Sequence, residues 1–289
     1  MKKRTWITAL LVIMLLAGLS LLLYPTFADY WNSTRQSGAV MTYVEDLDHT
    51  DEEAKKQLWE EAVEYNKQLS QRTNPYHLPE ELRAKYGTTL DVSGSGIMGY
   101  VDIPAISVQL PIYHGTEESV LQRAVGHLEW TYLPVGGAGT HAVVSGHRGL
   151  PSAKLFTDLN KVVVGDLFML QVLDETLTYE VDRILIVEPE DVTALLAEPG
   201  RDLCTLVTCT PYGVNTHRLL VRGHRIENVE TARTVRIVSE ATQIDPMIVA
   251  TALAVPMVLL LLLWIMLRDI VQSARRRRQR QKASDGVSA

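Results

Sequence analysis

LCTLVTCTPYGVNTHRLLVRGHRI, residues 203–226, reads as two β-strands separated by a turn. LCTLVTC (203–209) and HRLLVRGHRI (217–226) are short and rich in β-branched residues, and Thr210, Pro211, Tyr212 and Gly213 follow the first run as turn formers. Residues two apart on a strand share a face, so Arg218 and Arg222 point the same way as Leu220, whereas His217 points the other way.

Working outward, the same texture recurs. GYVDIPAISVQLPIY (99–113), HAVVSGH (141–147), DLFMLQVL (166–173) and LTYEVDRILIVE (177–188) are further β-runs, most of them bounded by turn residues. Two helical patches interrupt them, EESVLQRAVGHLE (117–129) and EDVTALLAE (190–198). Six or more strands with few helices imply a closed or nearly closed barrel. Upstream, residues from Thr50 to about Gln71 favour helix, and Ala54, Leu58, Ala62 and Tyr65 form one apolar stripe that packs on its own domain. The stretch QRTNPYHLPEELRAKYGTTLDVSGSG (71–96) is rich enough in Pro and Gly to be read as a long loop without helix or strand, of the length that often serves as a lid or linker. No internal repeat, metal-spaced Cys/His cluster or phosphate-binding loop is found, so no metal or other cofactor is invoked. Gly136, Gly137 and Gly139 mark a turn only.

The 289 residues and 32.3 kDa allow one large domain or two modest ones. The mean hydropathy of +0.03 hides a sharp segregation. The chain is uncharged from Trp6 to Leu23 and again from Pro246 to Leu267. Each run is long enough to cross a hydrocarbon core of about 30 Å at about 1.5 Å per residue. Lys2, Lys3 and Arg4 precede the first run, and seven basic residues follow the second, most of them in RRRRQRQK (275–282). Positive charge stays on the cytoplasmic side, so both termini are predicted to lie inside and the tail acts as a stop-transfer anchor. A signal peptide cleaved after Ala28 is the alternative for the first run, but its apolar stretch exceeds the usual length, which favours a retained anchor. Ten of the 28 Lys and Arg residues and two of the 34 Asp and Glu residues lie outside the intervening segment, which leaves 18 bases against 32 acids, a charge of −14. So acidic a segment is a poor nucleic-acid binder, since it offers little to neutralise phosphates.

The chemistry must come from a thiol. Cys204 and Cys209 are the only cysteines. Five residues along a strand separate their α-carbons by about 16 Å, too far for the roughly 7 Å that a disulfide allows. Cys204, among Leu203, Thr205 and Leu206, reads as inert core. Cys209 ends its strand at a corner that a ligand can reach. A thiol needs a base or a cation to become a thiolate. His49, His77, His114 and His127 lie in loops or helix-like stretches and read as surface histidines. His147, at a strand-to-loop corner, and His217, near the cysteine in sequence, are the candidates. An arginine on the cysteine's face, Arg218, is placed to stabilise thiolate or oxyanion charge, or is a solvated rim charge.

The segment TLVTCTPYGVNTHRLLVRGHR (205–225), with VVSGHRG (143–149) upstream, closely resembles the sortase signature: a TLxTC strand, an arginine nine residues on, and a histidine some sixty residues earlier. The likeness covers about residues 97–226. The second apolar run and the long segment before the barrel resemble class C, the pilus-assembling sortases. The resemblance implies a mainly β fold: an eight-stranded sortase-type barrel with short helices, an N-terminal helical arm and lid, and two terminal transmembrane helices. The implied order is an anchor (1–28), arm and lid (29–96), catalytic barrel (97–229), linker (230–245), second span (246–268) and basic tail (269–289). It further implies that Cys209 is the nucleophile, His147 the acid/base and Arg218 the oxyanion and substrate stabiliser. The implied partners are the membrane, an LPXTG-type sorting signal of a pilin or surface protein, and an acceptor amine from a pilin lysine or a cell-wall precursor. Class C sortases carry an Asp-Pro-aromatic lid, and here the best match is Asn74-Pro75-Tyr76. The ring remains but Asn74 has no charge, so Asp91, Glu80 or Glu81 would have to replace the carboxylate, or the lid is held less tightly. The alternatives are a housekeeping-type sortase that anchors surface proteins and a non-catalytic membrane scaffold. A scaffold does not explain a strand-end cysteine with an arginine in register. A papain-like hydrolase is excluded, because its histidine lies far downstream of the cysteine and its C-G-S-C-W wording is absent.

Overall fold

The computed structural model describes residues 2–228 together with 256–258, 264 and 268. The second apolar run and the basic tail therefore fall almost wholly outside the described residues. Among the described residues, 28–228 belong to one compact unit and 2–27 to another. Helix α1 (Lys2–Asp48) carries the first apolar run and continues well past it, with Pro25 inside. Among the described residues it is the one helix long and apolar enough to cross a membrane.

Helix α2 (Glu52–Ser70) starts where Asp51 accepts a hydrogen bond from the Ala54 amide at 2.8 Å, and Glu52 and Glu53 favour the positive end of its dipole. Of the expected stripe, Ala62 and Tyr65 are buried in the main core and Leu58 packs against it, whereas Ala54 is only half-buried; Leu69 extends the stripe by one turn. Asn66, on the same face, takes both polar groups of Leu133, accepting from its N–H at 2.8 Å and donating to its C=O at 3.0 Å. The 71–96 stretch departs from expectation, because Glu80–Tyr86 forms a helix, α3. Pro79 precedes it and Gly87 follows it, so the residues read as breakers are its boundaries. Glu80 and Glu81 sit in its first turn, Arg83 and Lys85 in its last, and Leu82 and Tyr86, four apart, bury one face.

Eight strands close a barrel. They are β1 (Ile97–Ile103), β2 (Val108–His114), β3 (Val125–His127), β4 (Thr140–Ser145), β5 (Leu167–Val172), β6 (Glu175–Val187), β7 (Asp202–Thr210) and β8 (His217–Arg225). Their order around the barrel is β1-β2-β3-β4-β7-β8-β6-β5. Neighbours are antiparallel except β2–β3 and β4–β7, which are parallel. The 99–113 run is two strands, divided by a 3₁₀ turn at Pro104–Ile106. The 117–129 patch is corrected: only Glu118–Leu121 is helical (α4), and Val125–His127 is a strand, because Val125 and Gly126 find partners on β2 while Gly126 and His127 find them on β4. In 190–198 only Thr193–Leu195 makes a helical turn, a 3₁₀ one.

Alternation on the central strands separates two apolar layers. Ala142, Val144, Cys204, Leu206, Leu219 and Val221 belong to the main core, and Val143, Val207 and Leu220 to a second, smaller cluster with Leu195. The second cluster marks the opposite face of β4, β7 and β8, and it floors the site.

Candidate active site

Register alone brings the three sequence-predicted residues to one end of the barrel. On β7 and β8, Cys209 lies directly opposite Arg218, and directly opposed residues put their side chains on the same face. Strand β4 runs parallel to β7 with Ser145 beside Val207, so the chain two residues on carries His147 past the strand end toward Cys209. His217 pairs with Thr210 on the other face. Its ring lies 3.2 Å from the Glu188 carboxylate. Cys209, His147 and Arg218 line one groove of about 330 Å³, and His217 is not among its lining residues.

Hydrogen bonds that cross between the two strand ends hold this arrangement. The Gly146 amide donates to Val207 O at 3.0 Å, and Thr208 Oγ1 donates to Gly146 O at 2.7 Å. Beyond the strands, Arg148 Nη1 donates to Thr210 Oγ1 at 3.1 Å, and the Arg148 guanidinium lies over the Tyr212 ring. His147 is thus bracketed by residues tied to both neighbours of Cys209. Gly146 is required by space: a Cβ there would sit 2.8 Å from both Phe156 and Val125 side chains. At Gly149, with φ +77°, a Cβ would meet the Tyr212 ring at 2.9 Å. Thr208, Thr210 and Arg148 are supports that the sequence reading missed, because their partners lie about sixty residues away.

A carboxylate does reach the site, from an unexpected place. Glu118 on α4 puts Oε2 3.4 Å from His147 Nε2. That nitrogen is shut off from solvent, yet the geometry makes no hydrogen bond. Gln122 donates to the Glu118 carboxylate at 2.9 Å and, with a smaller contribution from His147, holds it below the usual carboxylate range. Neither Glu80, Glu81 nor Asp91 lines the groove.

The two cysteines are both free. Cys204 is wholly buried, and burial followed by the nearby Asp202 charge pushes its thiol well above the ordinary value, so it stays neutral. Cys209 is partly exposed. His127, read as a surface histidine, is fully buried. Its Nε2–H donates to Tyr132 O at 2.7 Å and its Nδ1 accepts from Tyr86 Oη at 2.9 Å, and desolvation lowers its pKa to about 4. His114 is likewise no loop residue but the end of β2, with its two ring nitrogens 3.0 and 2.8 Å from the carbonyls of Gly96 and Thr89. The signal for His127 was the apolar Val125 before it and Leu128 after it.

In the lid stretch, Asn74 Oδ1 accepts from the Tyr76 amide at 3.0 Å, which makes a tight Asx turn around Pro75. The Tyr76 ring packs edge-on against Trp130 with centroids 5.9 Å apart. Trp130 lines the groove, and Tyr76 does not.

Residues 101–226 match the family model for the sortase domain. In curated sequences the chain is 29% identical over 131 residues to sortase D of Bacillus subtilis, an alignment that covers 44% of this chain and 63% of that protein. Among solved structures, sortase C1 from Streptococcus agalactiae aligns with a TM-score of 0.64 and 50% identity over 66% of this chain and 99% of that one. Sortase C of Streptococcus pneumoniae aligns with a TM-score of 0.60 and 43% identity over 65% of this chain and 96% of that one. With a sortase C1 half identical to it and matched along nearly its whole length, the chain belongs to the sortase family and is class C-like.

Proposed function

We propose that the chain is a membrane-anchored cysteine transpeptidase that cleaves an LPXTG-type sorting signal between Thr and Gly and passes the acyl group to an amine. The observation that carries this reading is the direct opposition of Cys209 and Arg218 on β7 and β8, with His147 at the end of the parallel strand β4. Cys209 thiolate attacks the Thr carbonyl carbon, and the oxyanion that forms faces the Arg218 guanidinium. His147 gives a proton to the glycine nitrogen as the C–N bond breaks, leaving a thioester on Sγ. An incoming amine then gives its proton to His147, attacks the thioester and expels the thiolate. Water in place of the amine yields hydrolysis as leakage.

The class C likeness supports a pilin as donor and a pilin lysine as acceptor, which makes the product a polymer of pilin subunits. The apolar part of α1 supports a membrane anchor, and the charge pattern supports a second span over 246–268 with both termini cytoplasmic. A protease-accessible Arg275–Arg280 segment on intact cells would refute that topology. Asn74-Pro75-Tyr76 acts as a lid latched through the Tyr76–Trp130 contact. The direct test of the chemistry is incubation of the full chain with an LPXTG-type peptide, followed by mass spectrometry. The expected product is a thioacyl adduct on Cys209, absent in Cys209→Ala. A parent protein that is labelled on Cys209 by a thiol reagent yet forms no peptide adduct overturns the reading.

A further inference from the structure

The face of the barrel that carries Cys209 and Arg218 continues downward in ordered rows. One row below, Val207 pairs with Leu220, both in the apolar floor of the groove, and with Ser145. One row further, Thr205 pairs with Arg222 and Val143. At about 3.3 Å per residue, this last row lies about 13 Å from the cysteine. Its Thr205 and Arg222 are polar, and both are buried.

What covers it is the connection between β6 and β7, residues 188–201. That segment supplies Pro189, Asp191, Val192 and Leu195 to the groove. Two of its groups are gripped from the barrel. The Arg222 side chain, only 6% exposed, donates to Glu198 Oε1 at 2.6 Å and to both oxygens of Asp182 at 2.9 and 2.8 Å. His141 Nδ1 lies 2.9 Å from Leu196 O, and its Nε2 lies 2.7 Å from Thr205 Oγ1. Burial lowers the His141 pKa, so the ring is neutral, and it donates to Leu196 O and accepts from Thr205. Asp182 has no partner across the β6–β8 ladder, where the register slips between Val181 and Arg183. Such a bulge re-aims a side chain. Here it brings the carboxylate to Arg222 and to Arg201, whose Nη2 donates at 2.6 Å. Arg201 also donates to Glu198 at 2.8 Å.

These groups form a ring of two acids and two arginines with a neutral histidine beside it, and its bonds join the barrel to the segment that walls the groove. An exposed ion pair adds little, but Arg222 is enclosed, and removal of one partner leaves a shielded charge uncompensated. The device is therefore strong where it holds the wall and remote from the reacting atoms.

We infer that Arg222 and His141 are positioning residues: by pinning Glu198 and Leu196 they fix the 188–201 wall and set the affinity for the peptide substrate, without acting on the chemical step. This rests on the groove being the sorting-signal site proposed above.

The test uses the full chain in detergent, with Glu198→Gln and Arg222→Met, an LPXTG-type peptide, a small neutral thiol reagent, and amide hydrogen exchange. Both variants are expected to raise KM about tenfold while kcat stays within about twofold, since pre-organisation of a binding wall acts on ground state and transition state alike. Reagent modification of Cys209 stays at the parent rate, and exchange accelerates in peptides spanning 188–201. If Arg222→Met does not fold, Glu198→Gln decides alone, because it leaves Arg222 paired with Asp182. Parent-like KM and parent-like exchange in folded Glu198→Gln overturn the inference. A fall in kcat together with the reagent rate also overturns it, by showing that the row acts on the chemistry. If the parent forms no peptide adduct, the proposed function has failed, and exchange in 188–201 still decides whether the clamp holds the wall.

Discussion

The buried body of the barrel unit and the rim of its groove each hold one cysteine and at least one histidine, and they use them in opposite ways. Cys204 and Cys209 share strand β7, five residues apart. An odd separation puts them on opposite faces: one joins the main core, the other lines the groove. His127 is enclosed and kept neutral by hydrogen bonds and desolvation, whereas His147 opens on the groove. Residue type alone says little about reactivity. Strand parity and distance from the strand end decide it.

The largest effect expected of this contrast is between the cysteines. Cys209→Ala should abolish the acyl-enzyme, and Cys204→Ala should keep substantial turnover with a stability loss of about 1 kcal/mol for a small buried truncation. Adduct formation by mass spectrometry and thermal unfolding measure the two. Equal loss of activity from both, in folded proteins, breaks the comparison.

The histidines should separate almost as widely. His147→Ala is expected to cost about 10²–10⁴ in kcat, the usual contribution of a positioned acid/base, while His217→Ala, on the other face, stays within a few-fold. Steady-state kinetics on both variants decide it, and a dead His217→Ala beside an active His147→Ala reverses the assignment.

For His127 the effect is on stability and on its pH dependence. Its folded pKa of about 4 lies below the ordinary 6.5. Between those values the unfolded chain binds a proton that the folded one does not. Stability is therefore fully present above about pH 6.5 and is lost as the pH falls toward 4, by about 3 kcal/mol. Unfolding measured from pH 7 to 4 should show this slope in the parent and a flatter one in His127→Gln.

The smallest effect belongs to the proposed lid. Tyr76→Ala should speed modification of Cys209 by a thiol reagent a few-fold, and Asn74→Ala by less, since Asn74 only caps a turn and holds no ion pair. A Tyr76→Ala rate equal to the parent's would reduce residues 74–76 to a linker.

Most of the barrel was legible because its strands are β-branched runs ended by turn residues, and the strand-end position of Cys209 followed from the same pattern. Two strands were hidden for identifiable reasons. β3 is three residues long and follows a helical turn, so no period of two is visible over 117–129. β1 and β2 merge into one run because a single 3₁₀ turn divides them. Helix α3 was missed because Pro79 and Gly87 were read as breakers within a loop and not as the ends of a helix. In the site, Cys209 and Arg218 could be placed on one face because both sit in 203–226. Glu118, Thr208 and the clamp around Arg222 could not, because each depends on a contact with residues distant in the chain that only the folded barrel brings together.

The parallel pairing of β4 with β7 also has a kinetic side. Gly146 and Thr208, which tie the strand ends together, lie 62 residues apart in the chain. Contacts of such separation form only after a large loop has closed, at an entropic cost that shorter hairpins avoid. Until that closure, Cys209 has neither His147 nor the 188–201 wall beside it. On the proposed chemistry, the onset of peptide-adduct formation on Cys209 is therefore a clock for barrel closure.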